Sequence, residues 1–295
     1  MKIAVFDEYR IGIVDGSDLI DVTEACPSYS NTWPPVFMLP FIEEFTNIRP
    51  KIEDLIRRRS RMVALRDVRL RPPVPMPTKI LAAPVNYQRH QKEMTAKGAV
   101  YEGMVLHTVA QYGVFLKPSS SLVGSDSVIE LPFSDRRTDH EAELAVVIGR
   151  RGRNIRREEA YDYVFGYTGL MDITVRGHED RTYRKGFDGF TPMGPYVVTK
   201  DEMSDPQHIG LELTVDGEVR QVGNTEDLIF DIPRLIEAAS FQTTLYPGDI
   251  ISTGTPEGVG PIRAGNTVRL TVEGIGELVV RVSQGHPDSR RGLDI

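Results

Sequence analysis

Cysteine is almost missing from this chain: Cys26 is the only one in 295 residues. That excludes an intramolecular disulfide, a zinc ribbon and a redox pair, and it suits a reducing cytoplasm. Long apolar stretches are missing too. No segment approaches the roughly 20 residues that a membrane-spanning helix needs. The start, Met1-Lys2-Ile3-Ala4-Val5-Phe6-Asp7, turns acidic too early for a signal peptide and reads as a first strand. Positive charge is in deficit, with 35 basic residues against 42 acidic ones and a formal net charge of −7. A general nucleic-acid surface is thereby disfavoured. The arginine-rich pieces Arg57-Arg58-Arg59-Ser60-Arg61 and Arg150-Arg151-Gly152-Arg153 lack interleaved aromatics and read as solvated faces. Repeats and low-complexity tracts are absent as well. What is present is ordinary for a soluble globular protein, 40% hydrophobic and 26% charged, with length for one large domain or two. A cytosolic protein with neither membrane nor nucleic acid as partner is expected.

Alternation and turn signals predict short strands at residues 3–6, 11–14 and 19–22, then a helix over 52–62. Four prolines between residues 70 and 77 read as an extended linker. The chain is therefore expected to divide into a small N-terminal α+β domain, 1–72, and a main domain, 73–295. A strand at 79–83 opens the second part, followed by a short helix over 88–94 and a long polar connection up to residue 113. Connections of that length more often cover a site than idle. Strands dominate beyond it, with helices near 157–163 and 232–239. The fold class is α+β, mainly β.

The chemistry concentrates in acidic residues. Asp139, Glu141 and Glu143 alternate directly before the apolar run Leu144-Ala145-Val146-Val147-Ile148, which reads as a buried strand. Side chains two apart share a strand face, so Glu141 and Glu143 would project together, roughly 7 Å apart along the backbone. Carboxylates that close repel unless positive charge stands between them. A third, Asp172, lies in the nearly uncharged stretch from Val164 to Thr174, where an ionised group needs a partner. Arg176, two strand steps on, is one candidate partner. A hard divalent cation shared by Glu141, Glu143 and Asp172 is the other.

His90 and Glu93 stand three apart, one face of a helix, where Glu can orient the imidazole as a general base for water. Lys185, in Arg184-Lys185-Gly186-Phe187-Asp188, can meet an anion or simply face solvent, and Lys117 poses the same choice. Thr253-Gly254-Thr255-Pro256-Glu257-Gly258 lacks the ending of a phosphate loop. It fits better as a turn offering N–H groups and the Thr255 hydroxyl to a carboxylate.

In order, these segments resemble the fumarylacetoacetate hydrolase family. They are Asn86-Tyr87 with His90 and Glu93; Phe115-Leu116-Lys117-Pro118; Glu141-Ala142-Glu143; Gly166-Tyr167-Thr168 leading to Asp172; Lys185-Gly186-Phe187-Asp188; Pro192-Met193-Gly194-Pro195; Pro247-Gly248-Asp249; and Gly254-Thr255-Pro256. The resemblance spans residues 78–283. It implies a rolled, barrel-like β-sheet core in a homodimer, and Mg²⁺ or Mn²⁺ (with Ca²⁺ as a stand-in) at Glu141, Glu143 and Asp172. It also implies a small anionic 2-oxo acid as substrate, with Tyr87, Arg176 and Thr255 binding it and Lys185 steadying its charge. His90 and Glu93, on a lid, would activate water, and hydrolysis would release an enolate held by the metal. The chain departs from the family pattern at Ala83-Pro84-Val85, at Met171, at Gly177-His178 and in the length of the 94–114 connection, all near the pocket. Hydrolytic C–C cleavage of a 2,4-dioxo acid such as an acylpyruvate or fumarylpyruvate is the first expectation, since the His–Glu pair supplies a water base. Oxaloacetate-type decarboxylation follows, then isomerisation of an unsaturated 2-hydroxy diacid, then binding without turnover.

Overall fold

The structure, a computed structural model, describes residues 1–96 and 108–285. It opens with an antiparallel meander of β1 (Lys2–Phe6), β2 (Arg10–Asp15) and β3 (Asp18–Asp21), close to the expected strands. Helices α1 (Met38–Glu43) and α2 (Phe45–Arg57) follow. The sequence expectation placed this second helix at 52–62; it starts well before Pro50 and ends inside the arginine run. Its buried residues Phe45, Ile48, Ile52 and Leu55 recur at three- and four-residue steps, and that stripe fixes its bounds. Strand β4 (Met62–Ala64) pairs with β3, and β5 (Leu70–Arg71) pairs with β1. The expected linker thus begins as a strand, because Leu70 and Arg71 precede the prolines and keep their N–H groups for a ladder.

The rest of the chain supplies β6 (Ile80–Ala82), α3 (Gln88–Ala96), α4 (Val109–Tyr112), β7 (Phe115–Lys117), β8 (Leu122–Val123), β9 (Val128–Leu131), β10 (Thr138–His140) and β11 (Ala142–Ile148). Then come β12 (Val164–Met171), β13 (Thr174–Val175), α5 (Arg181–Lys185), β14 (Thr191–Thr199), β15 (Gly210–Val215), β16 (Glu218–Asn224) and α6 (Ile232–Gln242). The last strands are β17 (Ile250–Ser252), β18 (Gly260–Ile262), β19 (Thr267–Val272) and β20 (Gly276–Gln284). The expected helix at 157–163 is a 3₁₀ helix. Much of the expected connection to residue 113 falls in 97–107, outside the described residues.

One large sheet runs in the order β4-β3-β2-β1-β14-β12-β11-β17-β6-β7, with β5 beside β1 and β8 beside β14. Its end strands β4 and β7 do not pair, so the sheet stays open and is no closed barrel. A second sheet, β16-β15-β19-β20-β9, packs on it, and β13-β10-β18 form a small third. Strand β11 lies in the middle of the large sheet and is apolar on both faces for that reason. Leu144, Val146 and Ile148 join Leu213, Leu270 and Leu278 of the second sheet in one core. Ala145 and Val147 turn the other way, toward Phe41, Phe45 and Ile52 of the helices.

The N-terminal strands belong to this same sheet, since Ile3 of β1 is paired with Val197 of β14. Phe45 of α2 meets Phe165 of β12 edge-on, with centroids 5.0 Å apart. The division into 1–72 and 73–295 is therefore a proposal for unfolding to test. Phe45→Ala is expected to cost about 3–4 kcal/mol. If the two parts unfold independently, chemical denaturation followed by circular dichroism will show only the first of two transitions moving; a single shifted transition rejects the division as a folding boundary.

Candidate active site

The site forms where β10 hands over to β11. Glu141 occupies the junction, Glu143 is on β11, and Asp172 follows the end of β12. The Asp172 N–H donates to the Glu141 carbonyl at 2.9 Å, which ties the two chain segments together. Carboxylate oxygens of Glu141, Glu143 and Asp172 all lie within 4.8 Å of one another, and all three residues are buried. The charged strand end is thus closed off from solvent, and its acids converge.

Cations partly answer them. The Lys117 ammonium donates to Asp172 at 2.5 Å and to the Phe190 carbonyl at 2.9 Å. Lys185 reaches Asp172 at 2.5 Å, Glu141 at 2.8 Å and the Thr174 hydroxyl at 2.7 Å. Arg176 does not pair with Asp172, the partner that strand spacing offered. It bridges Asp139 at 2.7 Å and Glu141 at 2.8 Å. The reason is topological: Arg176 lies just beyond β13, whose partner is β10, so its side chain falls beside Asp139 rather than back along its own strand. Arg137 completes the Asp139 cage at 2.6 Å.

Glu143 has no such cation within ion-pair distance among the described residues. It accepts from the Ser252 hydroxyl and from the Gly254 N–H at 2.9 Å. Burial, then repulsion from Asp172, push its carboxyl up to about 8. Burial would raise Glu141 as well, but Lys185 and then Arg176 outweigh it and hold that carboxyl well below the usual range. Three convergent oxygen donors, one of them short of positive charge, fit a hard divalent cation. No nitrogen or sulfur ligand joins them among the described residues.

Helix α3 brings the expected base. His90 Nδ1 faces Glu93 at 3.2 Å, and Glu93 accepts from the Gly258 N–H at 3.2 Å. Gly258 has φ +90° and a Cβ there would stand 2.1 Å from the Arg220 carbonyl, so only glycine fits. Thr255 is buried one residue past Gly254, its hydroxyl accepting from Gln221 Nε2 at 2.8 Å. Tyr87, the residue before α3, is fully buried and its hydroxyl has no partner among the described residues. Burial drives that phenol far up from its ordinary value.

The structure therefore gathers Glu141, Glu143, Asp172, Lys185 and Arg176 in one cluster, and sets His90, Glu93 and Thr255 around the turn that also contacts Glu143. Lys117, for which the sequence left solvent and substrate equally open, is a fully buried partner of Asp172. Gln221, Ser252 and Arg184 join the site without a signal in the sequence. Gln221 is the one fully buried position in the first five residues of β16, so no periodicity marks it. Ser252 hides in an apolar run, and Arg184 in a stretch of mixed charge.

A family model described as fumarylacetoacetate (FAA) hydrolase C-terminal matches residues 79–283. The maleylpyruvate hydrolase of Aquipseudomonas alcaligenes is 45% identical over 287 residues, covering 96% of this chain and 99% of that protein. The crystal structure of maleylpyruvate hydrolase from Sphingobium sp. SYK-6 in complex with manganese(II) ion and pyruvate matches with a TM-score of 0.86. It is 40% identical and the match covers 97% of this chain and 100% of that one. That of 5-carboxymethyl-2-hydroxymuconate delta-isomerase from Mycobacterium smegmatis matches at TM-score 0.72 and 31% identity, over 97% of this chain and 100% of that one.

The raised Glu143 carboxyl makes stability depend on pH. Between about 4.5, its ordinary value, and about 8 the folded state holds a proton that the unfolded state has released. Its contribution is intact below about 4.5, declines as pH climbs and is lost above about 8. Melting in chelator should therefore fall across that window. Added Mg²⁺ or Mn²⁺ should restore most at the alkaline end, with proton release seen as buffer-dependent heat in calorimetry. A metal-induced rise in Tm that is the same at pH 5 and pH 8 would refute this account of Glu143.

Proposed function

The chain belongs to the fumarylacetoacetate hydrolase family, and from that premise we infer that it is a divalent-metal-dependent hydrolase that cleaves a C–C bond of an acylpyruvate. The observation that carries the hydrolytic reading is the His90–Glu93 pair, mounted beside three convergent buried carboxylates. Decarboxylation, isomerisation and simple binding of a 2-oxo acid have no need of a base for water. The two maleylpyruvate hydrolases support an acyl group that itself ends in a carboxylate.

Glu141, Glu143 and Asp172 would hold the cation, whose chemistry when bound is Lewis-acid stabilisation of negative charge on the substrate's 2-oxo oxygen. Lys185, Lys117 and Arg176 keep Glu141 and Asp172 in place, while the Ser252 hydroxyl and the Gly254 N–H hold Glu143. Because Gln221 donates to the Thr255 oxygen, the Thr255 hydrogen is free to point away, toward the substrate's first carboxylate. His90 Nδ1–H donates to Glu93, which leaves the Nε2 lone pair to take a proton from water. The hydroxide adds to the distal carbonyl, and the bond between that carbon and its neighbour breaks. The electron pair stays with the pyruvate fragment, which is then protonated at carbon, while the acyl part departs as a carboxylic acid.

Mg²⁺ or Mn²⁺ as the working ion, a homodimeric assembly and a cytoplasmic location complete the proposal. Oxygen-only donors support the ion, the family resemblance the dimer, and the near absence of cysteine, with Cys26 alone, the compartment.

Turnover of maleylpyruvate and acetylpyruvate with Mn²⁺ in ¹⁸O-labelled water provides the test. Pyruvate plus an acid carrying one labelled oxygen is the expected result, and His90→Ala should lower kcat by a factor on the order of 100 or more. Decarboxylation of oxaloacetate that survives His90→Ala, with neither acylpyruvate hydrolysed, would displace this reading.

A further inference from the structure

On the acylpyruvate reading above, we propose that Arg184 binds the distal carboxylate of the substrate and thereby selects dicarboxylic acylpyruvates over those with an uncharged tail. The cations around the carboxylate cluster are nearly all taken. Lys117 is paired with Asp172, Lys185 with Asp172 and Glu141, Arg176 with Asp139 and Glu141, and Arg137 with Asp139. Arg181 lies over the Tyr112 ring, 4.3 Å from its centroid. Arg184 differs. It is only 7% exposed, yet no carboxylate among the described residues lies within ion-pair distance of it.

Its guanidinium donates to backbone carbonyls alone, from Nε to Glu179 at 2.8 Å and from Nη1 to Val175 at 3.4 Å. Nη2 has no hydrogen-bond partner among the described residues. The carboxylates that attract it are Glu141 and then Glu179, and both are held by other cations, Glu141 by Lys185 and Arg176 at 2.8 Å each and Glu179 by both terminal nitrogens of Arg136 at 2.7 Å each. Gly177 makes room for that arrangement, since a Cβ there would come within 2.2 Å of both Arg136 Nη2 and Glu179 Oε2. A buried cation without a counterion is costly, and here the surroundings have been shaped to leave it so.

The position suits a second carboxylate. Arg184 precedes Lys185 on α5, and its anchor Val175 precedes Arg176; Lys185 and Arg176 both touch Glu141. Arg184 therefore flanks the cluster on the Glu141 side. Thr255 flanks it on the Glu143 side, through the Gly254 N–H. A substrate whose first carboxylate lies toward Thr255 carries its far end toward Arg184. The planar fork of a guanidinium matches a carboxylate in geometry as well as charge.

The test compares holoenzyme kcat/KM for maleylpyruvate and for acetylpyruvate, whose acyl tail is uncharged, in wild type, Arg184→Gln and Arg184→Lys. The ratio of the two is expected to fall roughly 10- to 100-fold in Arg184→Gln, the scale of a lost charge-assisted hydrogen bond, and to recover in part in Arg184→Lys. A merely structural Arg184 would lower both substrates together, and that parallel loss, or an unchanged ratio, would overturn the proposal. Should Arg184→Gln fail to fold, Arg184→Lys carries the same comparison, with a several-fold fall in the ratio expected and none refuting. A wild type that hydrolyses neither compound would overturn the acylpyruvate reading itself, and the role of Arg184 with it.

Discussion

Three carboxylates drawn together out of water are the constraint on which the rest of this structure turns. Like charges within 4.8 Å do not stay buried unaided. The elements around them can be understood as the means of keeping them there. The end of β7 contributes Lys117, the end of α5 contributes Lys185, and the residue after β13 contributes Arg176. Each cation arrives on a different segment, so the cluster holds together parts of the chain that are far apart in sequence. Glu143 is the exception, met among the described residues only by a hydroxyl and an N–H, and its raised carboxyl marks where positive charge is still wanted.

The acids were legible in the sequence because they violate its local pattern. Glu141 and Glu143 run into a strand that is apolar on both faces, and Asp172 ends a stretch otherwise free of charge. Their cations were less so. Arg176 was matched to Asp172 by counting along one strand, whereas its partners come from β10, a neighbour that only sheet pairing reveals. Lys117 looked neutral between solvent and site because nothing in Phe115-Leu116-Lys117-Pro118 tells which way the ammonium turns. Helix α2 begins at Phe45, earlier than expected, because its apolar stripe from Phe45 to Leu55 runs on through Pro50. Arg184 and Gln221 left no trace, since their significance lies in which partners they lack or gain across the fold.

The N-terminal strands do more than precede the site. Through β1 and β14 they extend the same sheet that carries β11 and β12, and α2 covers the face of that sheet opposite the second one. That double cover explains why the central strands are apolar throughout. It also makes them stiff supports, because interiors packed on both faces transmit strain instead of absorbing it. Side chains at the ends of β11 and β12 inherit that stiffness, and a site built from oxygen atoms needs its ligands held to fractions of an ångström.

The same stiffness reaches His90 on α3 by a short route. Thr253 donates through both its N–H and its hydroxyl to the Leu144 carbonyl, which fixes the start of the glycine-rich turn against β11. One residue on, the Gly254 N–H meets Glu143; four further, the Gly258 N–H meets Glu93. One turn thus touches a carboxylate of the cluster at one end and the partner of His90 at the other. Gln221 pins its middle, accepting from Ala142 of β11 at 3.0 Å while donating to Thr255 at 2.8 Å and to the Pro256 carbonyl at 2.9 Å. The turn thus ties the cluster to the helix carrying His90, and the Asn86 amide, donating to the Thr253 carbonyl at 2.9 Å, anchors the start of that helix to the same turn.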